Sequence, residues 1–175
     1  MDINKITKVS VFDFDGTLID TPMPNPGKEI WKEKTGEDYP HVGWWSKPET
    51  LSLDVFDQEP FDDIASLYRT EKANPNTFVC LATGRIIPLT DQVHAILNHH
   101  GFNFDEVVLA GDKRWQSKGG NTLSFKLAYF ADLKGRFPNL EMIEIWDDRD
   151  EHHATFVQWG RLQHPLNVVI NHVKH

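Results

Sequence analysis

The chain has 175 residues, enough for one compact domain with its own core and at most a small appendage. Its formal net charge of −8 argues against tight, non-specific binding along a nucleic-acid backbone, because such binding needs a broad basic surface. No apolar run approaches the roughly 20 residues of a membrane helix, and the polar N-terminus leads us to expect no signal peptide. The single cysteine, Cys80, excludes an intramolecular disulfide and a cysteine-rich zinc site, and it favours a reducing, cytoplasmic compartment.

Short apolar runs alternate with amphipathic stretches along most of the chain. The expected strands are residues 8–14, 77–82, 106–110, 141–146 and 167–173. The expected helices are residues 61–72, 88–100, 122–136 and 150–162. This alternation predicts an α/β fold, in which a parallel sheet is covered by helices on both faces.

The stretch between the first strand and the first helix, residues 21–60, has no clean period and carries most of the prolines. We interpret it as a small irregular insertion with a short helical piece at residues 28–34, within a single domain that spans residues 1–175. Three tryptophans lie in the insertion. They are Trp31, Trp44 and Trp45. We expect them to form a small aromatic core within the insertion, in preference to stacking on a substrate.

Polar residues cluster where the expected strands end. In chain order the clusters are Asp13-Phe14-Asp15-Gly16-Thr17, Thr83-Gly84-Arg85, the loop 111–121 and Asp147-Asp148-Arg149. Because parallel strands end at one edge of the sheet, where ligands of such folds bind, we expect these clusters to form one site. Asp13 and Asp15 would face opposite sides of a regular strand, so the backbone must bend at Gly16 for both to reach it.

The residue types in these clusters indicate a metal and a phosphate. Asp13, together with Asp147 or Asp148, offers the hard oxygen ligands that Mg²⁺ prefers, and the sequence leaves open which of the two later acids is the direct ligand. The Thr83 hydroxyl and the Lys126 ammonium would bind an anionic oxygen, and Lys126 lies in the first turns of its helix, where the dipole favours an anion. Together these groups describe phosphoryl transfer.

The mechanism then follows from the chemistry of carboxylates. Asp13 is the expected nucleophile, which forms an aspartyl-phosphate. Asp15 would protonate the leaving oxygen and then take a proton from the hydrolytic water. Thr83, Lys126 and the backbone N–H groups near Phe14 and Asp15 would stabilise the equatorial oxygens.

The motifs in this order resemble the haloacid-dehalogenase (HAD) superfamily of aspartyl-phosphate phosphatases. The resemblance implies a HAD-like three-layer Rossmannoid sheet, with the insertion after strand one as a small cap. It implies that Mg²⁺ contacts Asp13, the Asp15 main-chain carbonyl and Asp147, with Asp148 beside them. It assigns catalysis to Asp13, Asp15, Thr83 and Lys126. It assigns substrate binding to Thr83, Gly84, Arg85, Lys126 and Arg149.

Finer features resemble the HAD domains called Swiss-Army-knife RNA-repair-like and the polynucleotide 3′-phosphatase domains. These features are Trp44-Trp45-Ser46-Lys47-Pro48 and Ser52-Leu53 in the insertion, and Trp146-Asp147-Asp148-Arg149 followed by His152. The resemblance implies action on the 3′-phosphate of a nucleic-acid end. The loop 111–121 is basic, and it carries Lys113, Arg114, Trp115 and Lys118. This pattern fits binding of a nucleic-acid end, and it fits equally well a solvated loop that is anchored by its one tryptophan.

Three functions remain open on the sequence. The first is a phosphatase of polynucleotide ends, and the second, favoured by the charge of −8, is a phosphatase of a small metabolite or nucleotide. The third, a catalytically silent HAD-like binding domain, ranks last because no motif is lost. Arg149 would contact phosphate or, as we favour, pair with nearby acids, and His152 would position a leaving group or, more simply, pack. No protein or membrane partner is implied.

Overall fold

The computed structural model describes residues 1–115 and 120–175. The strands are β1 (Lys8–Phe12), β2 (Thr77–Ile86), β3 (Glu106–Ala110), β4 (Met142–Asp147) and β5 (Asn167–His172). They form one sheet in the order β3-β2-β1-β4-β5, and each neighbouring pair is parallel. The α-helices are α1 (Pro24–Thr35), α2 (Asp62–Ala73), α3 (Thr90–His99), α4 (Thr122–Arg136) and α5 (Asp150–Arg161). The expected α/β fold is therefore confirmed.

The sheet has an apolar core on each face, because successive residues of a strand point to opposite sides. On β2, Val79 and Leu81 belong to the core that contains the apolar residues of α2 and α3. Phe78 and Cys80 belong to the other core, which contains those of α4 and α5. Cys80 is fully buried, and burial raises the pKa of its thiol, as expected for a packing residue. The molecule has the three layers that the sequence predicted.

Two strand boundaries differ from expectation near the site. We expected the second strand to end at residue 82, but β2 continues to Ile86 and contains the Thr83-Gly84-Arg85 motif. Its pairing with β3 shifts register between Thr83 and Ile86, and this tertiary pairing was not visible in the local sequence. The first strand ends at Phe12, two residues early, so that Asp13 begins the turn.

The insertion is more helical than expected. Instead of a short piece at residues 28–34, it contains the whole of α1, which begins at Pro24 and is closed by Gly36 at φ 77°. Its aromatic rings pack on one another: the Trp44 ring centroid lies 5.0 Å from that of Tyr39, and Trp31 lies 5.6 Å from Tyr39. The expected aromatic core is confirmed for Trp31 and Trp44.

None of the helices in the described part of the chain is both long enough and apolar enough to span a lipid bilayer.

Helix α1 packs so closely on Trp44 that a side chain at Gly27 has no room. A Cβ there would overlap the Trp44 ring. We therefore expect Gly27→Ala to lower the free energy of unfolding by about 1–3 kcal/mol, despite the higher helix propensity of alanine. Urea unfolding would measure this change.

The matched control is Gly135→Ala in α4, where nothing lies within 4 Å of the added Cβ. This substitution should raise the free energy of unfolding by about 0.5–1 kcal/mol. If both substitutions stabilised the protein equally, α1 would not pack on Trp44 in solution.

Candidate active site

The turn after β1 fixes the two acids of the first motif. Gly16 has φ 67°, a conformation that favours glycine, so the expected bend is confirmed. A Cβ at Gly16 would also lie 2.6 Å from Asp148 Oδ2, so a larger residue there would displace that carboxylate. The Asp13 N–H donates to the Trp146 carbonyl at 2.9 Å, which fixes Asp13 beside β4. Asp15 then faces away from β4, toward β2, where it meets Arg85.

Three carboxylates meet at this edge of the sheet. Asp13, Asp147 and Asp148 each have an oxygen within 4.8 Å of the other two. Lys126, from α4, reaches into the group, and its Nζ lies 2.8 Å from Asp13 Oδ2 and 2.6 Å from Asp147 Oδ2. Lys126 is only 1% exposed, so its charge is balanced inside the protein by these carboxylates. The expected convergence of motifs from β1, α4 and β4 is therefore observed.

The electrostatics of the cluster are uneven. Burial raises the pKa of Asp13 to about 7, and the neighbouring Asp147 contributes to the shift, although Lys126 opposes it. Burial and Asp147 likewise raise the pKa of Asp148. Burial alone would raise the pKa of Asp147, but Lys126 and His152 outweigh it, so this pKa lies well below its usual value. The cluster thus carries more negative charge than one ammonium neutralises.

Neighbouring groups orient the carboxylates of Asp147 and Asp148. Asp147 Oδ1 accepts from the Arg149 N–H at 3.0 Å, and His152 Nδ1 lies 3.3 Å from the same oxygen. The Thr17 hydroxyl donates to Asp148 Oδ1 at 3.2 Å. His152 is 3% exposed, so the packing interpretation holds. Its contact with Asp147 had no signal in the sequence.

Arg85 is bound to Asp15. Its Nε lies 3.0 and 2.9 Å from the two Asp15 oxygens, and its Nη2 lies 2.7 Å from Oδ1. Its Nη1 donates to the Thr50 hydroxyl at 2.8 Å and to the Trp45 carbonyl at 3.1 Å. The guanidinium is 1% exposed and lies 5.0 Å from the centroid of the Trp45 ring. Arg85, expected to bind substrate, here links Asp15 to the insertion, and the sequence did not single out Thr50.

Two of the other expected substrate-binding residues line a small cavity beside Asp13. Gly84 and Arg149 both line it, and the Arg149 side chain is 39% exposed. Arg149 pairs with Glu151, but at 3.8 Å the contact is long. Thr83 is fully buried, and its hydroxyl accepts from the Arg85 N–H at 3.0 Å. Trp45 also lines the cavity, so it differs from Trp44 and Trp31, which belong to the aromatic core.

The basic loop is largely engaged within the protein. Trp115 is 5% exposed and packs on Tyr129 at 4.9 Å, so its ring does not present a face for stacking. Arg114 covers the Trp115 ring at 4.0 Å and pairs with Asp112 at 2.9 Å. Lys113 is exposed, whereas Lys118 lies outside the described residues. For Arg114 and Trp115, a loop anchored by the tryptophan ring therefore describes the structure better than a surface for a nucleic-acid end.

The donor set fits a hard divalent cation. Carboxylate oxygens are the ligands that Mg²⁺ and Ca²⁺ prefer, and the described residues offer three of them within 4.8 Å. Burial is the main cause of the raised pKa values of Asp13 and Asp148, and a bound cation would lower both. This edge of the sheet could therefore hold a metal ion and, beside it, an anionic group in the cavity next to Asp13.

The family model for HAD domain family 1 in Swiss Army Knife RNA repair proteins matches residues 21–171. The chain therefore belongs to this family, as its motifs led us to expect. The matched range contains Arg85, Lys126 and Asp147 and begins after Asp13 and Asp15.

Among curated proteins, the chain is 27% identical over 167 residues to the uncharacterized protein YMR265C of Saccharomyces cerevisiae. The similarity covers 82% of this chain and 35% of the yeast protein, so the chain spans about a third of the length of that relative.

Two groups of solved structures share the fold. A chain of the Pnkp1/Rnl/Hen1 RNA repair complex superposes with a TM-score of 0.55 and 15% identity, over 96% of this chain and 42% of that one. The HAD domain of the effector protein Lem4 from Legionella pneumophila superposes with a TM-score of 0.54 and 13% identity, over 97% and 87%. These similarities confirm the HAD-type α/β fold.

The raised pKa of Asp13 predicts pH-dependent stability in the metal-free protein. The folded state keeps a proton on Asp13 up to about pH 7, whereas the unfolded chain releases it near about pH 4. The contribution of Asp13 to the free energy of unfolding therefore falls as the pH rises through this window. With chelator at about pH 8, Asp13→Asn should be more stable than wild type by on the order of 1 kcal/mol, and the gap should shrink at about pH 5.

Thermal unfolding across this pH range would measure the gap. The exposed Asp20, changed to Asn, is the control for the loss of a carboxylate at the surface. A gap between wild type and Asp13→Asn that stayed constant with pH would contradict the raised pKa.

The Thr50 hydroxyl is one of two groups by which the insertion holds Arg85. Thr50→Val keeps the shape but removes the acceptor, so a buried guanidinium N–H loses its partner. We expect the free energy of unfolding to fall by about 1–3 kcal/mol in urea titrations. Thr50→Ser keeps the hydroxyl and should retain most of the stability, and equal losses in both variants would argue against the bond.

Proposed function

We propose that this chain is a Mg²⁺-dependent phosphomonoester hydrolase that works through an aspartyl-phosphate on Asp13. The observation that carries the proposal is the buried cluster of Asp13, Asp147 and Asp148 around Lys126. Membership of a HAD family supports a hydrolase, since HAD proteins are generally hydrolases and mostly phosphatases. We further propose that residues 1–175 act as one domain with the insertion as its cap.

In the proposed first step, an Asp13 carboxylate oxygen attacks phosphorus and the bond to the leaving oxygen breaks. Asp15 gives its proton to that oxygen, which departs as an alcohol. In the second step Asp15 takes a proton from water as the water oxygen attacks phosphorus. The P–O bond to Asp13 breaks, inorganic phosphate leaves and the Asp13 carboxylate is restored.

The remaining residues would position charge. Asp13, the Asp15 main-chain carbonyl and Asp147 would hold Mg²⁺, with Asp148 beside them. When bound, Mg²⁺ would screen the repulsion between a carboxylate and a phosphate dianion. Lys126 and the Thr83 hydroxyl would stabilise the oxygens of the transferring group.

The Arg85–Asp15 pair sets a condition on the first step. A carboxyl group that donates a proton needs an oxygen free of the guanidinium, but both Asp15 oxygens accept from Arg85. An incoming phosphate dianion would compete with Asp15 for the same guanidinium, because guanidinium groups pair readily with phosphate oxygens through two parallel hydrogen bonds. We propose that substrate draws Arg85 partly away from Asp15, with Gly84 leaving room and Arg149 contacting the phosphate from the other wall.

We propose polynucleotide 3′-phosphate ends as the substrate. The match to a family of RNA repair proteins supports this choice, and the fold of a chain in an RNA repair complex agrees with it. The second candidate is a small phosphorylated metabolite or nucleotide. The net charge of −8 and the buried Trp115 favour it, because both reduce the surface available to a polyanion. A cytoplasmic location and the absence of a protein partner stay predictions.

Phosphate release from four substrates tests the proposal and separates the candidates. The substrates are a 3′-phosphorylated RNA oligonucleotide, its DNA equivalent, a mononucleotide and p-nitrophenyl phosphate. We expect release with Mg²⁺ and none with chelator. Release from p-nitrophenyl phosphate and the mononucleotide alone would favour the second candidate, and metal-dependent release from none of the four would overturn the enzyme assignment.

Variants assign the two acids of the first motif. Asp13→Asn should abolish turnover, because the nucleophile is lost. Asp15→Asn should lower kcat by about 10²–10⁴-fold. Because p-nitrophenolate leaves without a proton, Asp15→Asn should still be phosphorylated by p-nitrophenyl phosphate and should accumulate the phosphoenzyme, visible by intact-mass spectrometry. The exposed Asp2→Asn, which lies before the opposite end of β1, is the control and should match wild type.

A further inference from the structure

Trp45 differs from the other two tryptophans of the insertion in what its ring contacts. Trp31 and Trp44 both pack on Tyr39. The Trp44 Nε1–H also donates to the Pro22 carbonyl at 3.0 Å. Among the described residues, the Trp45 ring packs on no other aromatic ring, and its Nε1–H has no hydrogen-bond acceptor. Trp45 is also partly exposed, so packing within the insertion does not account for its ring.

The main chain of Trp45 holds its ring at the candidate active site. The Trp45 carbonyl accepts from Arg85 Nη1 at 3.1 Å, and the centroid of the ring lies 5.0 Å from the guanidinium carbon. Arg85 is in turn bound to both oxygens of Asp15. A ring that is already fixed in place loses little conformational entropy when it binds a ligand. Trp45 is thus positioned by the same hydrogen bonds that hold the proposed acid/base.

The leaving group of a substrate has to lie on the Asp15 side of the site. As the proposed acid, Asp15 must come within hydrogen-bond reach of the leaving oxygen, about 2.6–3.2 Å. The space next to Asp15 is a cavity of about 340 Å³, a size typical of small-molecule sites. The apolar side chains that line it are Trp45 and Met23, and Met23 is 60% exposed. An apolar part of the leaving group in this cavity would therefore meet Trp45.

The charges around the cavity next to Asp15 restrict the leaving group further. Four acids line the cavity against one arginine, and these residues are Asp15, Asp148, Asp150, Glu151 and Arg149. A second phosphate in this position would be repelled, whereas an uncharged ring would not. The cavity therefore favours a neutral ring over a further anionic group.

We propose that the Trp45 ring stacks on the nucleobase of the nucleotide whose phosphate is hydrolysed. Every base has a π-face, so stacking on an aromatic side chain binds a base without reading its identity. The flexible thioether of Met23 would pack against the same ring. Trp45 would thus determine specificity, by favouring a leaving group that carries a flat ring. The inference deepens the proposed function and rests on it for the position of the phosphate.

Rates with two matched substrates test this inference. Adenosine 3′-phosphate carries the base, and the corresponding sugar phosphate without a base offers the same leaving oxygen. We expect wild type to prefer adenosine 3′-phosphate, measured as the ratio of the two kcat/KM values. Trp45→Leu removes the ring but keeps the main-chain bond to Arg85, and it should lower this ratio about tenfold. Trp45→Phe keeps an aromatic ring and should retain most of the preference.

The matched control is Trp31→Leu, which removes a tryptophan from the aromatic core of the insertion and from neither cavity. It should leave the ratio at the wild-type value. The inference is wrong if wild type shows no preference for the base, or if Trp45→Leu keeps the wild-type ratio. It is also wrong if Trp31→Leu lowers the ratio as far as Trp45→Leu does, because altered folding of the insertion would then explain both.

Binding separates a failure of this inference from a failure of the proposed function. Isothermal titration calorimetry with Mg²⁺ would compare the same two compounds on Asp13→Asn protein, with and without Trp45→Leu. A binding preference for adenosine 3′-phosphate that Trp45→Leu removes, in a protein that releases no phosphate from any substrate, would overturn the proposed function and retain the role of Trp45. Phosphate release from p-nitrophenyl phosphate, with no preference for the base in rate or in binding, would overturn this inference alone.

Discussion

The candidate site depends on one buried ammonium shared by two carboxylates. Lys126 bonds Asp13 and Asp147 at 2.8 and 2.6 Å, and all three side chains are almost fully buried. Buried charges persist only when they are paired and hydrogen-bonded, and here the pairing also ties α4 to the ends of β1 and β4. The sheet order places these ends side by side, since Phe12 is in register with Trp146. The fold and the charge cluster therefore depend on each other.

The charges of this pairing are not fully balanced, because two carboxylates share one ammonium. Asp147 keeps a lowered pKa because Lys126 and His152 outweigh its burial, whereas burial leaves Asp13 with a pKa of about 7. A carboxylate must be ionised to bind a metal ion, and the lowered pKa of Asp147 keeps it ionised without a bound cation. Asp13 would gain its charge fully only with an added cation. A bound cation would favour the ionised form of both carboxylates.

Arg85 connects the site to the insertion through hydrogen bonds. A buried guanidinium has five N–H donors to satisfy, and Asp15 takes only part of them. The Thr50 hydroxyl and the Trp45 carbonyl, both from the insertion, take others. The insertion is thus connected to the proposed acid/base through a chain of hydrogen bonds. Any shift of Thr50 would therefore change how Arg85 holds Asp15.

The sequence predicted the elements and the shared edge, because hydrophobic periodicity and parallel topology are local or general properties. The start of α4 was correct, and its signal is Asn121, which accepts from the Ser124 N–H at 2.8 Å. The partner of Arg85 was missed, since the extension of β2 depends on pairing with β3. Trp44 and Trp45 are adjacent in sequence, yet one is in a core and the other at a cleft, and an aperiodic segment gives no means to tell them apart.

Positive charge is concentrated around Asp13, although the chain as a whole is acidic. The cationic side chains of Lys126, Arg85 and Arg149 lie next to Asp13 or line the small cavity beside it. Exposed acids lie instead on the insertion, and those that line a cavity there are Asp20, Glu33, Asp57 and Glu59. A phosphate dianion would therefore be attracted to the Asp13 end and repelled from the insertion. An acidic protein can thus attract an anionic group where its cationic side chains are concentrated.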